Sequence, residues 1–363
     1  MIGFATIGTS VITASFLEAL ALNRDCIFVG AYSRSPQNAH RVTAEHGGST
    51  PFTSLEQILG DPRVDAVYIA SPNALHHGQA LRCIAAGKHV LIEKPVCSNE
   101  REAREVFEAA RRAGVVALEA IRPLHDPAFW RMADALDDIG RIRRACLRFG
   151  KYSSRCEELK AGRRTNIFDC GLSTGALMDI GIYTVEPALA LFGTPDRAAC
   201  EAVYFDEALW PLTGGKLDGA GTILAGWPHM SATLEYSKIT NDLQPCQFEG
   251  DAGTAIVDSI ATPTSMRLEL REGAAVDSAG YSRAKTSTKK VELDAGANTM
   301  EHEIADFCQA VIASGNAMDY MEIPAGPRRT LAQYQQISIE SLALIDAMRA
   351  QTDIVFAADE RNL

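Results

Sequence analysis

Within the first 120 residues, short apolar runs alternate with helical patterns. No other feature constrains the fold as much. Residues 2–7, 27–32, 64–70, 89–92 and 115–118 are apolar runs of strand length. Between them apolar side chains recur at helical spacing, as at Ile12, Phe16, Ala19 and Leu20. One helical pattern stops at Gly87, a residue suited to ending a helix. Strands separated by helices join through crossovers, which give a parallel sheet with helices on both faces.

The pattern changes near residue 121. Residues 177–192 read as a helix. Residues 198–205, 221–227, 231–237, 246–249, 254–258 and 266–270 read as strands separated by Gly, Pro and Asp turns. Such a series predicts a large, mostly antiparallel open sheet. Residues 300–313 and 331–350 are helical again. The expected architecture is α/β: a Rossmann-type domain over 1–120, then an α+β domain over 121–363. The C-terminal helices are free to pack back on the first domain. A sheet with one apolar face must be covered, and a second copy of the chain would cover it, as a homodimer or homotetramer.

The chain has 363 residues, with 35 Lys plus Arg against 46 Asp plus Glu, for a net charge of -11. That balance argues against nucleic acid or an anionic membrane as partner and leaves a small molecule. No apolar run is expected to approach the roughly 20 residues of a membrane span. The first positive side chain is Arg24 and Glu18 interrupts the apolar start, so no signal peptide is expected. Nine scattered cysteines without a C-x-x-C fit reduced cytoplasmic thiols. His302-Glu303 begins like a zinc-protease motif, but Asp306 stands where a histidine is needed, and no metal site is expected.

The first strand leads into Gly8-Thr9-Ser10-Val11-Ile12-Thr13. A dinucleotide-binding turn wants glycines here, so that the pyrophosphate can sit on the helix N-terminus. Only Gly8 is glycine. The stretch is either an ordinary turn capped by Ser10 or a cofactor turn in which Gly8, Thr9, Ser10 and Ile12 face the ligand. The second strand ends in Ser33-Arg34-Ser35, where an NAD site usually has Asp or Glu. Hydroxyls and a guanidinium suit a 2′-phosphate, so Ser33 and Arg34 point to NADP(H), with NAD(H) still admitted. The alternative is a solvated arginine. Ser71-Pro72-Asn73 closes the next strand, and Asn73 either caps a helix or faces the cofactor. Of the two histidines that follow, His77 falls on the apolar stripe, so His76 is the candidate for the ligand.

The strand at 89–92 ends in Glu93-Lys94-Pro95, at the same sheet edge. Lys94 would present an ammonium to a substrate oxygen, beside Glu93, while Pro95 fixes the backbone. Together, S-P-N-A-L-H, A-G-K-H-V-L-I-E-K-P, L-E-A-I-R-P and G-A-L-M-D-I-G-I-Y resemble the Gfo/Idh/MocA oxidoreductases. That family includes glucose–fructose oxidoreductase, inositol dehydrogenases and dihydrodiol dehydrogenases. The resemblance spans residues 2 to about 193. It implies a Rossmann domain, an α+β domain whose open sheet builds a dimer or tetramer, and a catalytic role for Lys94.

Asp179 and Tyr183 form the second expected catalytic motif. Four residues apart, they share one helix face, roughly 6 Å apart along the axis. Tyrosine is a poor base alone, but a neighbouring ammonium favours its phenolate. A Lys94–Tyr183 pair could then move a proton while hydride moves to or from the nicotinamide. Asp179 would either act on substrate or orient one of the pair. Pro187 cannot donate to the Tyr183 carbonyl, which predicts a widened turn at Tyr183. Arg122 is expected either in the nicotinamide or substrate wall or in an interdomain salt bridge, and His125 at the substrate. The activity these residues suggest is an NADP(H)-dependent dehydrogenase or reductase for a sugar, polyol or hydroxy-carbonyl compound. The alternatives are an NAD-dependent glycosidase using transient oxidation and a non-catalytic NADP sensor.

Overall fold

The computed structural model describes residues 1–276, 278–280, 282–294, 296–316 and 319–360. The first sheet holds β1 (Ile2–Ile7), β2 (Cys26–Tyr32), β3 (Ala66–Ile69), β4 (His89–Glu93) and β5 (Ala117–Ala120). These five strands lie in the order β2-β1-β3-β4-β5, and every pair is parallel. All residues of β1, β3 and β5 are buried, because helices cover both faces, and this is why the runs are unbroken in the sequence. From β1 the chain moves outward to β2, then back across β1 to β3. That reversal opens a crevice at the carboxyl ends of β1 and β3.

Gly8 follows β1 with φ at +116°, and a Cβ there would stand 2.5 Å from the Ala70 carbonyl oxygen. Gly8→Ala is therefore expected to cost about 2 kcal/mol, since it adds backbone strain to a close approach. Urea unfolding measures this, and an unchanged midpoint would show that the turn relaxes freely.

The second sheet holds β6 (Ile142–Gly150), β7 (Arg197–Tyr204), β8 (Asp218–Gly226), β9 (Ser231–Ser237), β10 (Cys246–Gly250), β11 (Gly253–Val257), β12 (Met266–Val276) and β13 (Ser282–Val291). The eight strands run in the order β13-β12-β11-β10-β6-β9-β8-β7, antiparallel except for the β6–β9 pair. The sequence reading missed β6 and β13. β6 carries Arg144 and Arg148 on one face and Ala145 and Leu147 on the other, so its apolar half is thin. β13 is a polar, lysine-bearing edge strand of the kind that resists further pairing.

The chain's own helices cover the apolar face of this sheet. Ile182–Phe192 packs on β6 and β9, and Leu331–Gln351 packs on that helix and on β7. The expectation that a second subunit must cover an apolar face therefore loses its premise. The other face is mostly polar: Arg148 pairs with Glu235 at 3.0 Å and Arg144 approaches Glu249 at 3.7 Å, with Val203 and Leu224 exposed on β7 and β8. The sequence reading also missed one long apolar stretch. Cys170–Phe192 is long and apolar enough to cross a membrane, but 78% of its most apolar window is buried inside this protein. The C-terminal helices tie the two sheets together. Met300–Ser314 packs on Val11–Leu20, and the Tyr334 hydroxyl donates to the Leu124 carbonyl at 3.0 Å.

Candidate active site

A cleft of about 440 Å³ opens at the carboxyl edge of the parallel sheet. Ser10, Ile12, Ser71, Asn73, His76, Glu93, Lys94 and Arg122 line one side, and Asn166, Ile167, Thr174, Asp179 and Tyr183 line the other. Residues as far apart in sequence as Ser10 and Tyr183 thus meet in one place, with the second wall supplied by helix Ile182–Phe192 and the chain that leads into it.

Lys94 sits just beyond β4, its side chain 13% exposed. Its Nζ donates to Asp179 Oδ1 at 2.7 Å and to the Asp179 backbone carbonyl at 2.9 Å. An ammonium has three donors, so one remains for a ligand. Burial works against the charge, but Asp179, Tyr183 and Glu93 outweigh it and hold Lys94 above the ordinary lysine range. Lys94 is thus a fixed cation at neutral pH. Asp179 lies in a single π turn, Leu177–Gly181, that runs into helix Ile182–Phe192. The widened turn is therefore one turn earlier than Pro187 had suggested, and the carbonyl that binds a partner is that of Asp179. Gly181 lets the turn approach β9, since a Cβ there would stand 3.2 Å from the Tyr236 ring.

Asp179 has a second cation. Lys238, which follows β9 directly, forms an ion pair with Asp179 Oδ2. Burial opposes the Asp179 charge, but the two lysines together hold the carboxyl well below the usual range. Lys238 shifts the other way: burial lowers it and Asp179 offsets only part of that.

Tyr183 is 7% exposed and packs edge-on against Phe149, with ring centroids 5.3 Å apart. The Lys94 ammonium lies 5.1 Å from its ring centre. The Arg122 guanidinium also lies close enough to Tyr183 to interact with it electrostatically. Burial acts against the Arg122 charge, but Tyr183, Glu303 and Glu93 outweigh it and raise the guanidinium. Behind this pair lies a buried acidic layer. Glu93 accepts from the Tyr68 hydroxyl, and burial pushes Glu93 upward and Glu303 well above the usual carboxylate range.

At the other end, Ser10 occupies the N-cap position of helix Val11–Leu20, but its side chain makes no cap bond. The hydroxyl and the first helical N–H groups are left for an anion, which fits a pyrophosphate. Arg34 is exposed beyond β2 and has no ion-pair partner among the described residues, while Ser33 Oγ accepts from Ser35 N at 3.2 Å. Gly8 and Thr9 form the turn itself. Among the described residues no three His, Cys, Asp or Glu side chains gather as a metal-binding group. All nine cysteines are free.

The model for an oxidoreductase family with an NAD-binding Rossmann fold matches residues 2–120. The chain is 38% identical to scyllo-inositol 2-dehydrogenase (NADP(+)) IolU of Bacillus subtilis, over 75% of this chain and 81% of that protein. It belongs to the Gfo/Idh/MocA oxidoreductase family. An uncharacterized oxidoreductase of Escherichia coli, YgjR, is 29% identical over the full length of both chains. A crystal structure of a 3-ketoreductase from Actinomadura kijaniata superposes with a TM-score of 0.79. It is 23% identical and covers 96% of this chain and 97% of its own, a likeness of fold.

Four sequence expectations for this oxidoreductase need correction. His125 is buried, its Nδ1 2.8 Å from Asp306 Oδ2 and its ring stacked on Tyr334, so it does not reach the cleft. His76 borders the cleft but is fully buried. Its ring nitrogens lie 2.8 Å from the Ser71 carbonyl and 3.0 Å from that of Pro95, so it braces two strand ends. His77, read as a core residue, is half-buried and pairs with Glu105 at 2.8 Å. Asn73 caps no helix: its amide donates to the Ser173 carbonyl at 2.8 Å and joins the two walls. Lys238, Asn166, Thr174 and Glu303 were missed. Lys238 had a signal, because Ser-Lys closes its strand much as Glu-Lys closes β4.

Proposed function

We propose that this oxidoreductase uses NADP(H) to interconvert a hydroxyl and a carbonyl on a sugar, polyol or related hydroxy-carbonyl compound. The observation that carries the reading is Lys94, a permanent cation with one free N–H, set against Tyr183 in a cleft beside a helix N-terminus. The similarity to a protein named as an NADP(+)-dependent inositol dehydrogenase supports the same reading. Ser10 and the turn at Gly8 and Thr9 would hold the pyrophosphate, with Ile12, Ser71 and Asn73 alongside. Ser33 and Arg34 would take the 2′-phosphate. Bound NADP(H) supplies the hydride chemistry.

The chain's own residues then divide the rest. Lys94 holds the reacting oxygen and stabilises the charge that develops on it. Tyr183 exchanges the proton, with the Arg122 guanidinium beside it. Asp179 orients Lys94 or takes a second substrate hydroxyl. The mostly polar outer face of the second sheet, with its paired arginines and glutamates, is the surface we assign to self-association. Size-exclusion chromatography with light scattering at micromolar concentration should show a dimer or tetramer, and a monomer would count against it.

Arg34→Ala should weaken NADPH by about 1–3 kcal/mol, the scale for a lost charged contact, and leave NADH nearly unchanged. Fluorescence titration with both cofactors measures it. Equal affinity of the unaltered enzyme for NADPH and NADH would refute the cofactor assignment. NADP+ reduction over inositols and aldoses, with NADPH oxidation over ketoses and diketones, tests the substrate class. Turnover of none of them would overturn it.

A further inference from the structure

We propose that Lys238 is a positioning residue of this site: a second ammonium that shares Asp179 and so keeps one N–H of Lys94 free for the substrate oxygen. The inference rests on the reading of Lys94 as the group that holds that oxygen. Its geometry stands apart from that reading. Asp179 Oδ2 pairs with Lys238, while Oδ1 and the backbone carbonyl take two donors of Lys94. The Lys238 pair at Oδ2 fixes the orientation of the carboxylate, so that it presents Oδ1 to Lys94.

Lys238 is held in place as a component of the fold. Its backbone N–H donates to the Gly219 carbonyl at 2.8 Å, and its carbonyl accepts from Ser153 N at 2.8 Å. The residue is 4% exposed, and its ammonium lies 5.7 Å from the Phe168 ring centre. A lysine buried this far is costly unless paired, and Asp179 is its ion-pair partner. The charged and titratable groups acting on it are Asp179, Lys94 and the Cys156 thiol. Those acting on Lys94 are Asp179, Tyr183 and Glu93, with Lys238 as a repelling cation and His76 nearby.

Two consequences follow from removing the Lys238 charge. The whole Asp179 charge falls to Lys94, and a repelling cation disappears beside it. Both make Lys94 a weaker acid. Competitive labelling of the apoenzyme with trace acetic anhydride at pH 9–10 reads this directly. Below the pKa, labelling of Lys94 is proportional to its acidity constant. In Lys238→Met the labelling of Lys94 should fall at least threefold relative to the other lysines. Lys238→Arg keeps the charge and should restore it. The acid limb of kcat/KM for alcohol oxidation should move to higher pH in Lys238→Met and return in Lys238→Arg. A lower melting temperature with unchanged Lys94 labelling in Lys238→Met would make Lys238 a structural ion pair and overturn the proposal. Should Lys238→Met not fold, a Lys238→Arg protein whose Lys94 labelling departs threefold from the unaltered enzyme would overturn it equally, and unchanged labelling would support it. Because the labelling needs no substrate, absence of sugar turnover would sink the proposed function and leave this test standing.

Discussion

Lys94→Ala is expected to cut turnover by roughly 10²–10⁴, the range for a charge-stabilising or acid–base group, while NADPH still binds. The Lys94 ammonium keeps one donor for the substrate oxygen, and the anchors proposed for the pyrophosphate lie on other elements. Tyr183→Phe should lose a similar factor without loss of fold, because the ring keeps its contact with Phe149. The double variant should lose far less than the product of the single losses, since the two act as a unit. Pre-steady-state rates on a polyol found by the substrate screen are the measurement. Full turnover in Tyr183→Phe, with chemistry limiting, would leave Tyr183 as a packed tyrosine. The proton would then have to leave through Lys94 or water, because His125 is out of reach of the cleft.

The second large effect is on stability. Asp179→Ala removes the anion that pairs with two lysines, leaving Lys238 without its ion-pair partner and Lys94 with only its weaker neighbours. Breaking a buried ion pair from one side costs about 3–5 kcal/mol. Asp179 keeps 24% of its side chain exposed, which places the loss at the lower end, ~3 kcal/mol. The pH dependence has a definite sign. The folded carboxyl is held well below its unfolded range, so its contribution is complete above about pH 4, the ordinary carboxylate value. It is lost only as pH falls below that toward the folded pKa. Unfolding midpoints at pH 7 and pH 3 should therefore differ less between the variant and the unaltered chain at pH 3. An equal difference at both would remove the charge from the explanation.

Local signals carried much of this protein. The five strands of the first sheet were legible because helices cover both faces and leave runs that are mainly apolar. The second sheet was legible where its inner face was apolar, as in β9, and illegible in β6, where arginines fill the outer face. Lys94, Asp179 and Tyr183 stood out because each sits at a strand end or on one turn of helix, next to residues that mark it.

The sequence by itself thus determined the α/β order, the turn at Gly8 and the three residues at the centre of the site. Tertiary structure alone decided which charges meet. Lys238 reaches Asp179 across 59 residues because β9 pairs with β6 and β8 in one register, and the π turn packs on β9. Arg122 comes beside Tyr183 in the cleft, and His125, three residues further on, turns into the core toward Asp306. Periodicity is written in neighbouring residues and can be read from them. The pairing of distant charges depends on how sheets and helices stack, and burial then fixes the protonation state of each.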